Sequence, residues 1–263
     1  MTKQPSLFLP HGAPDLLLTE HPAKRFLAEL GSRVGRPEAI LVISAHWESP
    51  RLALTTASTP ETVHDFYGFP AELYEYRYPA RTDAGLSRRT IELLADLGYA
   101  AEADGARGFD HGAWVPLLLA FPEADIPVVQ LSLLAGGTAR QHFEIGRALA
   151  PLRAEGVLIV GSGSVTHNLR ALGPEGTPPP VWATAFDDFV AFGTESGDWD
   201  DLMHFPDAPD SARLAHPTPE HFLPFFVAAG AGDTDHGTRL HRSFSHSSIS
   251  MSAFSFGDGA LAA

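Results

Sequence analysis

The chain has 263 residues, 44% of them apolar, a formal net charge of −14 and no cysteine. Length and apolar content suit a single domain spanning residues 1–263 with one sizeable core, and the negative charge, with no Lys/Arg-rich run, argues against nucleic acid or an anionic membrane surface as partner. The lack of cysteine excludes disulfides and thiolate zinc sites and points to a reducing cytoplasm.

No apolar stretch approaches a membrane span, and the first residues lack the apolar core of a secretory signal. Any metal site must draw on imidazole, carboxylate and water, and the 13 histidines are a rich supply.

In chain order, Ser6-Leu7-Phe8-Leu9 reads as a short strand ending at the turn Pro10-His11-Gly12-Ala13-Pro14. Residues 22 to 31 read as a helix. Ile40-Leu41-Val42-Ile43 is an unbroken, mostly β-branched run that stops at Ser44-Ala45-His46-Trp47. Such a run suits a strand covered on both faces. Arg51 to Thr55 suits a neighbouring strand. From His64 through Tyr67 to Tyr78 no helical or strand period fits, and four of the 5 tyrosines fall there. An aromatic loop of this kind suits a binding loop or lid, or else a loop pinned by its own rings.

Asp83 to Leu97 is an amphipathic helix closed by Gly98. Gly108 to Trp114 is a loop carrying His111, followed by a helix to Phe121. Ile126 to Ser132 is a strand, residues 138 to 152 a helix, and Gly156 to Gly161 a second buried strand. That strand runs into Ser162-Gly163-Ser164-Val165-Thr166-His167-Asn168, where the glycines allow a sharp turn and close approach to a ligand. Residues 171 to 180 form a surface loop, and Trp182 to Phe192 a helix. Thr218 and Pro219 suit the N-cap and first position of a further helix, with Pro224 near the end of its first turn. Ser248 to Phe256 alternates as a final strand. The alternation of strands and helices predicts an α/β fold: one mostly parallel mixed sheet flanked by helices, with its site at the carboxyl ends of the strands.

His11, His46 and His167 each follow closely on an apolar run. If those strands are parallel neighbours, the imidazoles share one edge of the sheet and suit either metal ligation or acid–base work. Core histidines in a chance pattern are the bland alternative. No His-Glu-x-x-His helix and no Gly-x-Ser-x-Gly elbow is present, which removes a zincin and a nucleophile triad.

Six segments occur in order: Pro10-His11-Gly12-Ala13-Pro14; Ser44-Ala45-His46-Trp47; His64-Asp65-Phe66-Tyr67-Gly68-Phe69-Pro70; Asp110-His111-Gly112-Ala113-Trp114; Gly161-Ser162-Gly163 through His167-Asn168-Leu169; and His216-Pro217-Thr218-Pro219-Glu220-His221. Together they resemble the DOPA-dioxygenase branch of the class III extradiol ring-cleavage dioxygenases, over nearly the whole chain.

The resemblance implies one mononuclear metal site and an enzyme that opens a catechol ring beside its two hydroxyls using O2. It implies metal ligands at His11, His46 and His221, with His167 at the metal or just beside it, and His111 meeting substrate or oxygen. Fe(II) is expected for activity and Zn(II) as an ion that purified protein can carry. His64 and Tyr67 are expected to face the substrate.

Non-haem ferrous oxygenases usually use two histidines and a carboxylate, so Glu220 needs weighing against His221. Consecutive residues on a helix point about 100° apart, and the branch carries His at position 221. Glu220 is then an ordinary acid near a helix start. A zinc hydrolase using the same pocket is the second reading. No feature of the sequence specifies an oligomeric state.

Overall fold

The computed structural model of the protein describes residues 2–207 and 210–258. Its strands are β1 (Ser6–Pro10), β2 (Ala39–Ser49), β3 (Ala53–Thr55), β4 (Glu102–Asp104), β5 (Val128–Leu134), β6 (Val157–Gly163), β7 (Gly237–His241), β8 (Phe244–Ser245), β9 (Ile249–Ser250) and β10 (Ala253–Phe256). Its α-helices are α1 (Pro22–Val34), α2 (Ala84–Asp96), α3 (His111–Ala120), α4 (Ala139–Leu149), α5 (Pro151–Ala154), α6 (Val181–Ser196), α7 (Trp199–Met203), α8 (Asp210–Ala215) and α9 (Leu223–Gly232).

Eight strands form one sheet in the order β4-β3-β5-β2-β6-β1-β10-β7, and β8 and β9 form a separate hairpin. The central strands β5, β2, β6 and β1 are mutually parallel. They are the continuous apolar runs of the sequence, because both of their faces are covered. Leu41, Ile43, Val129 and Ile159 pack on one face among side chains of α2, α4, α6 and α9. Ile40, Val42, Val128, Leu158 and Val160 pack on the other with α1 and α3. Antiparallel pairing enters only towards the sheet's flanks, where β10 joins β1 and β7, and β3 meets β5. Among the described residues no helix is long and apolar enough to cross a membrane.

Three local expectations change. First, β2 does not end at His46 but runs on to Ser49. Against β5, Ile43 pairs with Leu131 and Glu48 with Leu133, so the residues between them bulge out of register. A bulge re-aims side chains beside a site, and His46 rides on this one.

Second, the helix expected from Pro219 begins at Leu223, with Pro224 in its first turn, where a missing N–H costs no helical bond. His221 and Glu220 lie in the turn before it.

Third, the tail is interrupted after β9, and β10 alone joins the sheet. Its period of two survives the break. Ile249, Met251 and Ala253 enter one core cluster. Ser250 and Ser252 both donate, at 2.6 Å, to the fully buried Asp187 carboxylate of α6. Phe254 and Phe256 enter the other cluster.

The glycines at the end of β6 serve a protein contact rather than a ligand. A Cβ at Gly161 would lie 2.2 Å from the Pro224 carbonyl oxygen, and one at Gly163 2.1 Å from that of His221. Ser164 N–H donates to the same His221 carbonyl at 2.8 Å. Bare backbone at β6 thus lets the 221–224 segment lie against the sheet and brings His221 to the ends of β1 and β2. Gly161→Ala is expected to cost about 1–3 kcal/mol of stability, as overpacking against unyielding backbone does, read as a lowered urea midpoint at unchanged slope.

Candidate metal centre

His11, His111 and His221 are each held at the head of the sheet by a hydrogen bond through Nδ1, which leaves Nε2 as the free ring nitrogen. Ser162 Oγ lies 2.5 Å from the Gly112 carbonyl and must give its one proton there. It therefore accepts from His11 Nδ1, at 3.0 Å. The lone pair of His11 is then on Nε2. His221 Nδ1 donates to Glu220 Oε1 at 3.0 Å. Its Nε2 is buried without a partner among the described residues. His46 turns Nδ1 toward Asp65 Oδ2, 3.7 Å away, and places Nε2 3.1 Å from His11 Nε2.

Burial pushes the pKa of His11 and of His221 well below the ordinary imidazole value, and the neighbouring imidazoles push the same way. Burial and then His111 bring His46 down to about 4. All three are neutral at neutral pH, the form in which imidazole binds metals.

One ligand nitrogen from each of His11, His46 and His221 lies within 4.8 Å of the other two. Nitrogens each about 2.1 Å from one ion stand roughly 3.0–3.4 Å apart at octahedral to tetrahedral angles. The 3.1 Å between His11 and His46 fits that spacing. Three converging imidazole nitrogens, one of them the orphaned buried Nε2 of His221, are a donor set for one divalent ion.

His167 stands beside this trio. Its ring stacks on His221, with centroids 3.4 Å apart and planes 7° from parallel. It groups with Glu220 and His221, not with His11 and His46. Burial, working against the pull of Glu220, lowers its pKa to about 4.

His111 opens α3, where Asp110 caps the helix. Asp65 Oδ1 accepts from both its backbone N–H and its Nδ1, each at 2.9 Å. Burial would raise the Asp65 pKa, but the bonds from His111 outweigh it and bring it down to about 2. The carboxylate thus stays charged and fixes the tautomer that leaves His111 Nε2 free.

Asp110 ties these parts together. It is fully buried and accepts from Ser44 Oγ at 2.7 Å, Arg107 at 2.8 Å and Gln130 Nε2 at 2.5 Å. Arg107 also donates to the His46 carbonyl at 3.2 Å. The β2 bulge, β5 and the start of α3 are thereby held to one carboxylate. Gly112 completes the fit, since a Cβ there would lie 2.3 Å from Ser44 Oγ.

These imidazoles open into a cleft of about 450 Å³ whose apolar lining includes Phe66, Phe69, Leu169, Leu172 and Ile249. The aromatic loop does line the cleft, but through different side chains from those expected. Tyr67 points outward and is 91% exposed. His64 bonds the Tyr76 carbonyl at 3.1 Å and packs edge-on against Phe66 and Trp114. Neither is among the residues lining the cleft.

Glu220 also departs from expectation, since it is the carboxylate behind His221 and not a bystander at a helix start. Asp65, Asp110 and Ser162 were not singled out from sequence. The first two directly follow and precede a histidine of the quoted segments, and that adjacency was the available signal.

The chain matches, over residues 17–257, the family described as "Catalytic LigB subunit of aromatic ring-opening dioxygenase". The chain belongs to the LigB family. It is 40% identical over 256 residues to a protein of Beta vulgaris named "4,5-DOPA dioxygenase extradiol", a match covering 95% of this chain and 96% of that one. It is 43% identical over 236 residues to an Escherichia coli protein of the same name, covering 88% and 86%. A solved structure of an uncharacterized Escherichia coli K12 protein superposes with a TM-score of 0.82 at 37% identity, covering 97% of this chain and 100% of that one.

This LigB protein is therefore an extradiol ring-opening dioxygenase, a metal-dependent oxidoreductase, and the hydrolase reading finds no support. If the trio holds the ion, His221→Ala abolishes stoichiometric binding. Glu220→Gln, which keeps the shape but weakens the bond to Nδ1, lowers metal affinity by about 10–100-fold. Competition with a chromophoric chelator reads both.

Proposed function

We propose that the protein opens a DOPA-like catechol with O2 on a single Fe(II) held by His11, His46 and His221, with His111 and His167 handling protons. Its setting is the reducing cytoplasm expected of a chain without cysteine. The observation that carries this reading is the meeting of His11, His46 and His221, one ring nitrogen of each within 4.8 Å of the other two, with two further imidazoles in one aromatic-walled cleft. The names of the relatives supply the substrate class.

When bound, ferrous iron supplies the redox coupling between a catechol and O2 that side chains lack. The protein supplies the rest. Phe66 and Phe69 present aromatic surface to a flat ring and shed water from it. His111 Nε2, free because Nδ1 is engaged by Asp65, accepts a catechol hydroxyl proton. His167 is neutral, lies beside the trio and stands ready to give or take the second proton. Both atoms of O2 end in the product, and the carbon–carbon bond beside the two hydroxyls breaks.

His167 is read here as an acid–base group rather than a fourth ligand. His111→Ala and His167→Ala are each expected to lower turnover by about 10²-fold or more while bound metal stays stoichiometric. Loss of metal from the His167 variant would return that residue to the ligand set. Zinc stands above ferrous iron in ligand affinity but has no redox chemistry. The zinc form is therefore expected to bind catechols without opening them. Stripping the zinc and adding Fe(II) without oxygen restores O2 uptake and a coloured product once air is admitted. A ferrous form that consumes no O2 with any catechol would sink the proposal.

A further inference from the structure

The cleft carries polar side chains that the ring-opening chemistry does not use. Beyond the histidines and Glu220, its polar lining is Ser164, Ser245 and His246. Ser164 Oγ is occupied by the carbonyls of Thr166 and Ser250, at 2.8 and 2.9 Å. Ser245 and His246 stand at the hairpin turn joining β8 to β9.

His246 and Ser247 hold φ of +48° and +66°, a left-handed conformation costly for two consecutive residues with side chains. The turn is clamped into it. Glu175 Oε2 accepts from the His246 backbone N–H at 2.6 Å and from Ser245 Oγ at 3.2 Å. Gly173 N–H donates to the His246 carbonyl at 2.9 Å. His246 Nδ1 is bonded to Ser245 Oγ at 2.9 Å, and Nε2 has no hydrogen bond among the described residues.

The cleft adjoins a second cavity of about 160 Å³ across Gly12, Ala13, Ser245 and His246. That smaller space contains Asp15, Glu20 and Glu175, with neither Lys nor Arg in its lining. The metal cleft likewise has neither among its lining residues. Ser245 Oγ gives its one proton to Glu175 and so accepts from His246 Nδ1. His246 Nε2 then donates to an anionic group on a substrate only from the imidazolium, and a cationic group has the carboxylates next to it.

We propose that the β8–β9 turn is the subsite for the substrate's side chain. His246, protonated on both ring nitrogens, takes a carboxylate through Nε2–H and Glu175 takes an ammonium group, so the enzyme selects catechols bearing an α-amino acid tail. The inference rests on the dioxygenase reading above and adds to it the residues that choose among catechols. The bare catechol ring needs neither residue.

The test compares four catechols: L-DOPA, dopamine, 3-(3,4-dihydroxyphenyl)propanoate and 4-methylcatechol. His246→Asn suits the positive φ yet lacks the imidazole. Glu175→Gln keeps an oxygen to clamp the turn but loses the charge. His246→Asn is expected to lower kcat/KM for L-DOPA and the propanoate, relative to 4-methylcatechol, by about tenfold or more, through KM. Glu175→Gln is expected to do the same for L-DOPA and dopamine. The same ranking in dissociation constants, measured by calorimetry on zinc-loaded protein, decides the subsite without turnover. If the ferrous enzyme opens none of the four, the dioxygenase reading falls and the binding ranking still decides the subsite. Equal loss across all four catechols, or no change in their ranking, overturns the subsite.

Discussion

The head of this sheet depends on holding neutral imidazoles with their unshared pairs toward one another. Left alone, lone pairs 3.1 Å apart on His11 and His46 repel or must share a proton. The protein blocks the simplest escape, rotation or tautomer exchange, by engaging Nδ1 of His11 with Ser162 and Nδ1 of His221 with Glu220. Burial removes the other escape, protonation, by penalising the charged form. What remains is a site whose favourable state is with a cation at its centre. The cost of arranging it falls on the fold rather than on the binding step.

That arrangement needs stiff supports, and they are backbone features as much as side chains. Gly161 and Gly163 admit the 221–224 segment against β6. The bulge in β2 turns His46 out of the ladder, and Asp110 fixes bulge, strand and helix to one buried charge. Removing one partner from such a fully buried network leaves a charge without compensation. This is why the hub and the imidazoles it positions stand or fall together.

Much of this was legible in the sequence, for physical reasons. Runs such as Ile40 to Ile43 and Val157 to Val160 are apolar on both faces only because helices cover both faces. The histidines that follow them had to share an edge once the strands proved parallel neighbours. What was not legible depended on register and close approach. A period of two cannot reveal that β2 bulges between Ile43 and Glu48. Thr218-Pro219 is a sound helix-start pattern, yet His221 must hand its carbonyl to Ser164 N–H, and so the helix waits until Leu223. That delay freed Glu220 from helical geometry and let it reach back to His221. In the aromatic loop, composition identified the segment but not which rings turn inward, because His64 and Tyr67 alternate with Phe66 in a chain that has no period.

The positions of the three proposed ligands carry a last consequence. His11 follows the first strand, His46 lies in the second, and His221 comes after most of the chain has been made. A cation joining them is a clasp between the beginning and the end of the polypeptide, in a chain that has no cysteine to make a covalent one. Binding to the folded state alone adds stability that grows with the logarithm of free metal, about 2.7 kcal/mol at a hundredfold excess over the dissociation constant. Metal supply would then set how long the molecule survives proteolysis as well as how fast it works, and a cell short of the metal would hold fewer copies of the enzyme.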